Sequence, residues 1–123
     1  MTMLRSLAKI ASILLFITLS SSIGNQLNAQ DGKALFSQNC ASCHAVNKNL
    51  TGPALAGVED RWSEKKNLYA WIKNSAAYLK TGDPYATKLY NDYNKTAMNL
   101  FPSLTDQDID AILAYIKTVP AVG

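Results

Sequence analysis

The chain has 123 residues, which is enough for one domain and too few for several. Its 12 lysines and arginines and 9 aspartates and glutamates give a net charge of +3. Without Arg5 and Lys9 near the N-terminus, the remaining chain has 10 basic and 9 acidic residues, which gives a net charge of +1. So balanced a charge argues against a nucleic-acid-binding protein, which would carry a marked basic excess.

The N-terminal stretch has the layout of a secretory signal. Arg5 and Lys9 provide the positive start, residues 10–19 read IASILLFITL, and a polar stretch follows. We predict cleavage after Ala29, so that residues 1–29 form a signal peptide and residues 30–123 form the exported, periplasmic domain. The alternative is an uncleaved anchor that holds the domain to the inner membrane. The apolar run is shorter than the roughly 20 residues that a membrane-spanning helix needs.

Helix signals dominate the rest of the chain, and alternating β-branched runs are missing, so we predict an all-α fold. Capping residues and proline positions predict four helices, which run from Asp31 toward Cys40, from Ser63 to about Lys73, from Asp83–Pro84 to about Tyr93, and from Thr105 to Pro120. The last helix carries the apolar stripe Ile109, Ile112, Leu113 and Ile116. Long loops cover residues 45–60 and 94–103, and long loops in a small domain usually serve a site.

One motif carries the chemistry: Cys40-Ala41-Ser42-Cys43-His44. It matches the C-x-x-C-H pattern for covalent haem attachment. Residues three apart on a helical turn lie on one face, so both thiols can reach the two vinyl groups of one haem. His44 follows directly and can bind the iron. A cofactor also fits a domain this short, which would be marginally stable without one.

Three other readings of the cysteine pair compete with haem attachment. Cys40 and Cys43 could form a disulfide, but a loop that short contributes little stability. They could be a thioredoxin-like redox pair, but that motif expects a βαβ context. They could bind zinc, but a structural zinc site needs four ligands, and the sequence offers no second cysteine or histidine pair.

With the segment Thr51-Gly52-Pro53-Ala54-Leu55 after the motif, the chain resembles the class I cytochromes c of the small bacterial type. The resemblance spans residues 31–119 and implies the cytochrome c fold, with helices and long loops wrapped around one covalent haem c. In that family a G-P-x-L segment follows the haem motif. The resemblance implies that the Pro53 carbonyl accepts a hydrogen bond from the second ring nitrogen of His44 and so orients it.

The resemblance also implies a second iron ligand, Met98. The family places a methionine in the loop before its last helix, and Met98 holds that position in Thr96-Ala97-Met98-Asn99-Leu100. A His/Met axial pair is a standard cytochrome c arrangement. The alternatives are that Met98 fills a gap in the core, that Lys95 binds instead, or that the iron site stays open.

Further matches to the family are looser. Arg61 resembles an arginine that pairs with a haem propionate, although it could be an ordinary surface residue. Trp71 resembles an aromatic that lines the haem crevice, although it could be plain core. Gly32 and Phe36, with Ile112 and Tyr115, resemble the family's crossing of the first and last helices, where glycine allows close approach.

The charges are unevenly distributed along the chain. Between residues 61 and 95 basic residues outnumber acidic ones, and Asp106, Asp108 and Asp110 cluster later. This pattern is read either as ordinary solvated helix faces or as a weak docking patch for an acidic partner.

Together these features predict an electron carrier rather than an enzyme. If His44 and Met98 both bind the iron, no position is left for a substrate, so we expect no small-molecule substrate. The expected partners are redox proteins: a membrane respiratory complex, a terminal oxidase or a periplasmic dehydrogenase. We expect membrane contact only through those partners or through an uncleaved N-terminal anchor. The alternatives are an electron-delivering subunit of a larger oxidoreductase, or a haem sensor or enzyme with an open iron site.

Overall fold

The computed structural model describes the backbone of residues 24–120 and the side chains of residues 31–120. Most of the predicted signal segment, residues 1–23, lies outside the described residues. The described range contains α-helices and one 3-10 helix, Glu59–Arg61, and no strand. Its α-helices are α1 (Gly24–Asn39), α2 (Lys65–Lys73), α3 (Ser75–Leu79), α4 (Pro84–Asp92) and α5 (Asp106–Thr118). This confirms the predicted all-α class, with one short helix more than predicted. None of these helices is long and apolar enough to cross a membrane.

Helix α1 starts earlier than predicted. The sequence predicted Asp31 as its N-cap, but the helix begins at Gly24, so Asp31 lies inside it. Residues 25–30 contain no proline or glycine, so nothing in them stops a helix from extending back to Gly24. The predicted cleavage point after Ala29 therefore falls within α1 of the uncleaved chain.

The predicted cap of α2 was wrong by one residue. Glu64, not Ser63, is the N-cap, and it makes no side-chain capping bond. The hydroxyl of Ser63 accepts a hydrogen bond from the Asn67 side chain instead (3.0 Å). The prediction failed because this side chain competes for the serine.

Helix α3 was not predicted. Asn74 ends α2 and caps α3 at once, because its side chain accepts a hydrogen bond from the backbone N–H of Ala77 (2.9 Å). With five residues, α3 is too short to show a hydrophobic period in the sequence.

Helices α4 and α5 begin and end where the sequence predicted. Asp83 caps α4 through the N–H of Ala86 (2.8 Å), and Pro84 occupies its first turn. Thr105 and Asp108 cap α5 reciprocally in a capping box. All four residues of the predicted apolar stripe of α5 are buried.

Helices α1 and α5 cross at Gly32 and form the most extensive helix–helix contact of the described chain. A Cβ on Gly32 would lie 2.5 Å from the carbonyl carbon of Ala111, so only glycine allows this approach. The rings of Phe36 and Tyr115 pack with their centroids 5.4 Å apart. The predicted crossing is confirmed, and it places the end of α1, where the cysteine motif follows, against the core.

Candidate functional site

The cysteine motif forms a tight turn at the end of α1. The N–H of Cys40 donates to Phe36 (2.8 Å), and the N–H groups of Cys43 and His44 both donate to the carbonyl of Cys40 (3.1 and 2.9 Å). Both cysteines are half-buried, both are free thiols, and both line one cleft together with His44. The turn therefore presents two thiols and one imidazole to the same space, as the spacing predicted.

The thiol of Cys40 lies in a partly buried setting. Burial raises the pKa of the Cys40 thiol to about 11, so at neutral pH it carries its proton. Because the thiolate is the form that attacks disulfides, this environment disfavours the redox-pair reading of the motif.

The imidazole of His44 is held by the backbone of the following loop. Its Nδ1 lies 2.9 Å from the carbonyl oxygen of Pro53. A carbonyl can only accept, so Nδ1 carries the ring proton, and the lone pair of Nε2 is left for a metal. The structure therefore brings Pro53 and His44 together as the resemblance implied.

Gly52 allows the loop to lie flat against the imidazole ring. A Cβ on Gly52 would lie 2.7 Å from Nδ1 and 2.9 Å from Nε2 of His44, and still closer to Cε1. The N–H of Gly52 donates to the carbonyl of Cys43 (2.8 Å), which ties the loop back to the cysteine turn. The histidine is thus enclosed by its own motif and by the loop that follows it.

The cleft has the apolar surface that suits a haem site. It encloses about 1200 Å³ of space that includes open solvent. Its wall is mainly aliphatic and aromatic, with contributions from Leu55, Val58, Leu68, Ile72, Leu113 and Ile116. Two thiols, a fixed imidazole and a thioether are the donors that a covalent haem requires, and a flat apolar macrocycle suits this wall. The residues present therefore fit a haem c.

Met98 reaches the cleft from the loop between α4 and α5. It is half-buried and lines the cleft, whereas Lys95 is exposed and is not part of the wall. The loop is fixed to the start of α3 and the end of α2. The buried hydroxyl of Ser75 donates to the Met98 carbonyl (3.5 Å), and the N–H of Phe101 donates to the Lys73 carbonyl (3.1 Å). This placement favours Met98 over Lys95 as the second ligand.

Arg61 lies at the cleft but has a protein partner of its own. Its guanidinium donates to the carbonyl of Ala54 (2.8 Å), the residue after Pro53. A guanidinium has five N–H groups, so the others remain available for a propionate. The role that the resemblance implied for Arg61 stays a prediction.

Trp71 lines the cleft, as the resemblance implied. It belongs to an aromatic cluster around Trp62, whose ring centroid lies 5.6 Å from Trp71, 5.8 Å from Tyr78 and 5.0 Å from Tyr85. The cluster forms the wall between α2, α3 and α4, so Trp71 serves the core and the cleft together.

Sequence reasoning missed the contribution of α4 to the cleft. Tyr85, Leu89 and Tyr93 all line it. They lie four residues apart, which places them on one helix face, so this spacing could have revealed them.

Four of the seven basic residues between positions 61 and 95 are paired with acids. The pairs are Lys65–Asp110 (2.5 Å), Lys66–Glu64 (2.8 Å), Lys73–Asp106 (2.6 Å) and Lys88–Asp92. All are exposed to solvent, where such pairs are worth little. The pairing favours ordinary solvated helix faces over a continuous basic docking patch.

Comparison with known proteins identifies the family. The family model described as "Cytochrome c" matches residues 29–120. The chain is 32% identical to cytochrome c-554(547) of Halothiobacillus neapolitanus over 97 residues, covering 75% of this chain and 97% of that protein. It is also 32% identical over 108 residues to cytochrome c oxidase subunit 2 of Bacillus subtilis. That match covers 76% of this chain but only 27% of the longer protein.

The fold is similar to that of a solved cytochrome c from Rhodothermus marinus. The TM-score is 0.61 at 26% sequence identity, over 75% of this chain and 76% of that one. The family match, the fold and the geometry around His44 lead to the same conclusion. The chain belongs to the cytochrome c family, and it is an electron carrier with covalently bound haem c.

Proposed function

We propose that Cys40 and Cys43 would hold the haem through two thioether bonds and that His44 and Met98 would be the two ligands of its iron. The observation that carries this proposal is the turn at the end of α1. It holds both thiols and the imidazole against one apolar cleft, and Met98 lines the same cleft.

When bound, the haem supplies an iron that exchanges one electron between Fe(II) and Fe(III). The residues around the cleft decide how readily this happens. Met98 offers a soft thioether, which favours Fe(II) and raises the reduction potential. The apolar wall acts in the same direction, because the oxidised state carries one more positive charge and low-dielectric surroundings oppose it. With His44 and Met98 both holding the iron, the protein would take one electron from a reduced donor and pass it to an oxidised acceptor.

We infer that the protein works outside the cytoplasm, where it shuttles electrons between redox proteins. The N-terminal pattern of residues 1–29 supports export to the periplasm. The similarity to a segment of an oxidase subunit supports a terminal oxidase as acceptor. A membrane respiratory complex or a periplasmic dehydrogenase is the matching donor. Electron-transfer encounters of this kind are small and weak.

A second candidate function is that of an electron-delivering subunit within a larger oxidoreductase. The Bacillus subtilis match favours it, because a segment similar to this chain makes up about a quarter of that oxidase subunit. Size-exclusion chromatography of the native periplasmic fraction separates the two. A free carrier elutes at the size of the single chain, and a subunit elutes with its complex.

Haem attachment is tested by the mass of the exported protein after denaturation. We expect one haem mass that survives denaturation in the wild type and is lost when Cys40 and Cys43 are both changed to alanine. Ser42→Ala is the matched control, because Ser42 lies in the same turn and is exposed. A colourless wild-type protein with an internal disulfide would refute the proposal.

Axial ligation is tested by absorption spectroscopy. We expect the weak band at the red end of the oxidised spectrum to be lost in Met98→Ala and kept in Leu100→Ala, a control in the same loop whose side chain is 54% exposed. A high-spin wild-type spectrum with ready binding of carbon monoxide would instead indicate an open iron site.

A further inference from the structure

The peptide group between Pro53 and Ala54 is bonded on both sides. On one side, the Pro53 carbonyl accepts the hydrogen bond from His44 Nδ1 (2.9 Å). On the other side, the N–H of Ala54 donates to the side-chain Oδ1 of Asn49 (2.8 Å). The two groups belong to one trans peptide unit, in which C=O and N–H lie in one plane and point in opposite directions. Asn49, this peptide and His44 therefore form a continuous line of two hydrogen bonds.

This arrangement gives Asn49 control over the direction of the Pro53 carbonyl. The proline ring fixes φ of Pro53, so only rotation about ψ can turn the peptide plane. That rotation would move the N–H of Ala54 and the carbonyl together. The bond to Asn49 resists it, and so keeps the carbonyl aimed at His44.

Neighbouring bonds hold the next peptide group in the same way. The carbonyl of Ala54 accepts from Arg61 (2.8 Å), and the N–H of Leu55 donates to the carbonyl of Ala45 (3.0 Å). Ala45 directly follows His44, so the segment is tied to the histidine from this side as well. Among these residues, Asn49 is the one that bonds the Pro53–Ala54 peptide, whose carbonyl contacts the imidazole.

The line of bonds also has an electronic consequence. Hydrogen bonds in a chain polarise one another, so a peptide whose N–H is bonded is a better acceptor at its carbonyl. A stronger acceptor at Nδ1–H makes the imidazole a more electron-rich ligand. An electron-rich ligand favours Fe(III) and lowers the reduction potential.

We propose that Asn49 is a positioning residue for His44 and that, through the Pro53–Ala54 peptide, it lowers the reduction potential of the haem. This inference rests on the proposed role of His44 as the iron ligand. Asn49 is exposed and belongs to no helix, so its removal acts locally and leaves the core intact.

Asn47 supplies a matched control in the same loop. Its side chain donates to the carbonyl of Pro120 (2.7 Å), at the far end of the chain, and makes no bond to the His44 loop. Asn47→Ala removes an amide of the same kind from the same loop but leaves the line of bonds to His44 unchanged.

The experiment compares Asn49→Ala and Asn47→Ala as holoproteins, with two readouts. The first is the reduction potential, and the second is the hydrogen-exchange rate of the Ala54 amide. We expect Asn49→Ala to raise the potential and to speed exchange at Ala54 about five- to tenfold, as loss of one hydrogen bond predicts. We expect Asn47→Ala to change neither.

A second pair of variants separates polarisation from simple loosening of the loop. Asn49→Asp keeps the acceptor and strengthens it, so exchange at Ala54 stays slow and the potential falls. Asn47→Asp adds the same charge to the same loop, while its carboxylate can no longer donate to the Pro120 carbonyl, and we expect it to lower the potential less. If the reduction potential falls equally in Asn49→Asp and Asn47→Asp, polarisation of the peptide by Asn49 is refuted.

The outcomes also separate this inference from the proposed function. If Asn49→Ala keeps its covalent haem and the wild-type potential, the role of Asn49 is overturned, whatever happens to exchange at Ala54. If the wild-type protein carries no covalent haem, or if His44→Ala keeps its axial ligation, the proposed function fails and the role of Asn49 with it.

Discussion

Gly52 lies against the imidazole of His44 so closely that a Cβ atom would be 2.7 Å from Nδ1. Real side chains do not make so short a contact, so Gly52→Ala must move either the ring or the loop. Either movement breaks the bond between His44 and Pro53. We expect the variant to lose most of its covalent haem during maturation, and any holoprotein that forms to have a changed potential. The fraction of haem-bearing protein by mass spectrometry and the potential by titration are the measurements.

Gly82→Ala is the control for this substitution. Gly82 lies in the turn before α4 with φ +76°, and a Cβ there would meet nothing within 4 Å. The left-handed backbone disfavours alanine by about 1 kcal/mol. The variant should therefore unfold more easily but keep its haem and its potential. Equal haem loss in both variants would show that stability, not the contact with His44, decides attachment.

Ser75 should hold the Met98 loop in place. Its hydroxyl is buried, at 2% exposure, and it donates to the backbone carbonyl of Met98. Without it, the carbonyl loses its partner and the loop opens more often. We expect Ser75→Ala to let exogenous imidazole displace Met98 at a lower concentration, by about two- to threefold, because a hydrogen bond of 3.5 Å lies at the weak end of the range. Titration followed at the methionine absorption band measures this.

Asn74→Ala provides the comparison for Ser75. It removes the side-chain cap of α3, which costs about 1 kcal/mol of stability, without touching Met98. If both variants raise imidazole affinity equally, general destabilisation explains the effect and the contact of Ser75 with Met98 does not.

Asp110 should make stability depend on pH in the acid range. The hydrogen bonds from Lys65 and then Tyr69 hold the pKa of Asp110 below its ordinary value of 3.8. A lowered carboxyl pKa stabilises the fold fully above the unfolded value, and this contribution is lost as the pH falls through the folded value. Asp110→Asn should thus be less stable than wild type at pH 7 by less than about 1 kcal/mol, because the pair is exposed. The difference should vanish at low pH.

Denaturant unfolding at a series of pH values tests the role of Asp110. Glu64→Gln is the matched control, since its partner Lys66 lies in the adjoining helix α2 and the pair joins no second helix. Asp110 and Lys65 instead connect α5 with α2. If wild type and Asp110→Asn still differ in the free energy of unfolding at low pH, the ionised carboxylate is not the cause of that difference.

Gly32→Ala should weaken the crossing of α1 and α5. A Cβ there would lie 2.5 Å from the Ala111 carbonyl carbon and 3.1 Å from Tyr115 Cβ. Forcing the helices apart should cost about 1–3 kcal/mol in the free energy of unfolding, as overpacking does elsewhere. Ser37→Ala, on an exposed position of α1, should change little. If Gly32→Ala unfolds at the same denaturant midpoint as the wild type, α1 and α5 can move apart without loss of stability.

The sequence predicted those features whose signals are local. Thr105 and Asp108 lie three residues apart and cap α5 by themselves, and Asp83–Pro84 does the same for α4. The cysteine motif is local too, because its spacing alone brings the thiols and His44 together.

Features that depend on which of several partners a side chain takes were missed or misplaced. The hydroxyl of Ser75 finds its partner at Met98 only once the loop has folded over α3. In the sequence, Asn49 does not differ from other loop asparagines. Its role is visible only from the hydrogen bond that the N–H of Ala54 donates to it. The cap of α2 was misplaced because Asn67 takes the hydroxyl of Ser63. In each case one side chain had several available partners, and its residue type alone does not say which partner it takes.

The crossing of α1 and α5 makes the first and last helices of the domain neighbours in space. Gly32 on α1 meets Ala111 on α5, so the earliest and the latest parts of the described chain must both be in place before this contact is complete. The cysteine turn lies directly after α1, so the same contact ties the position of the two thiols to the last helix.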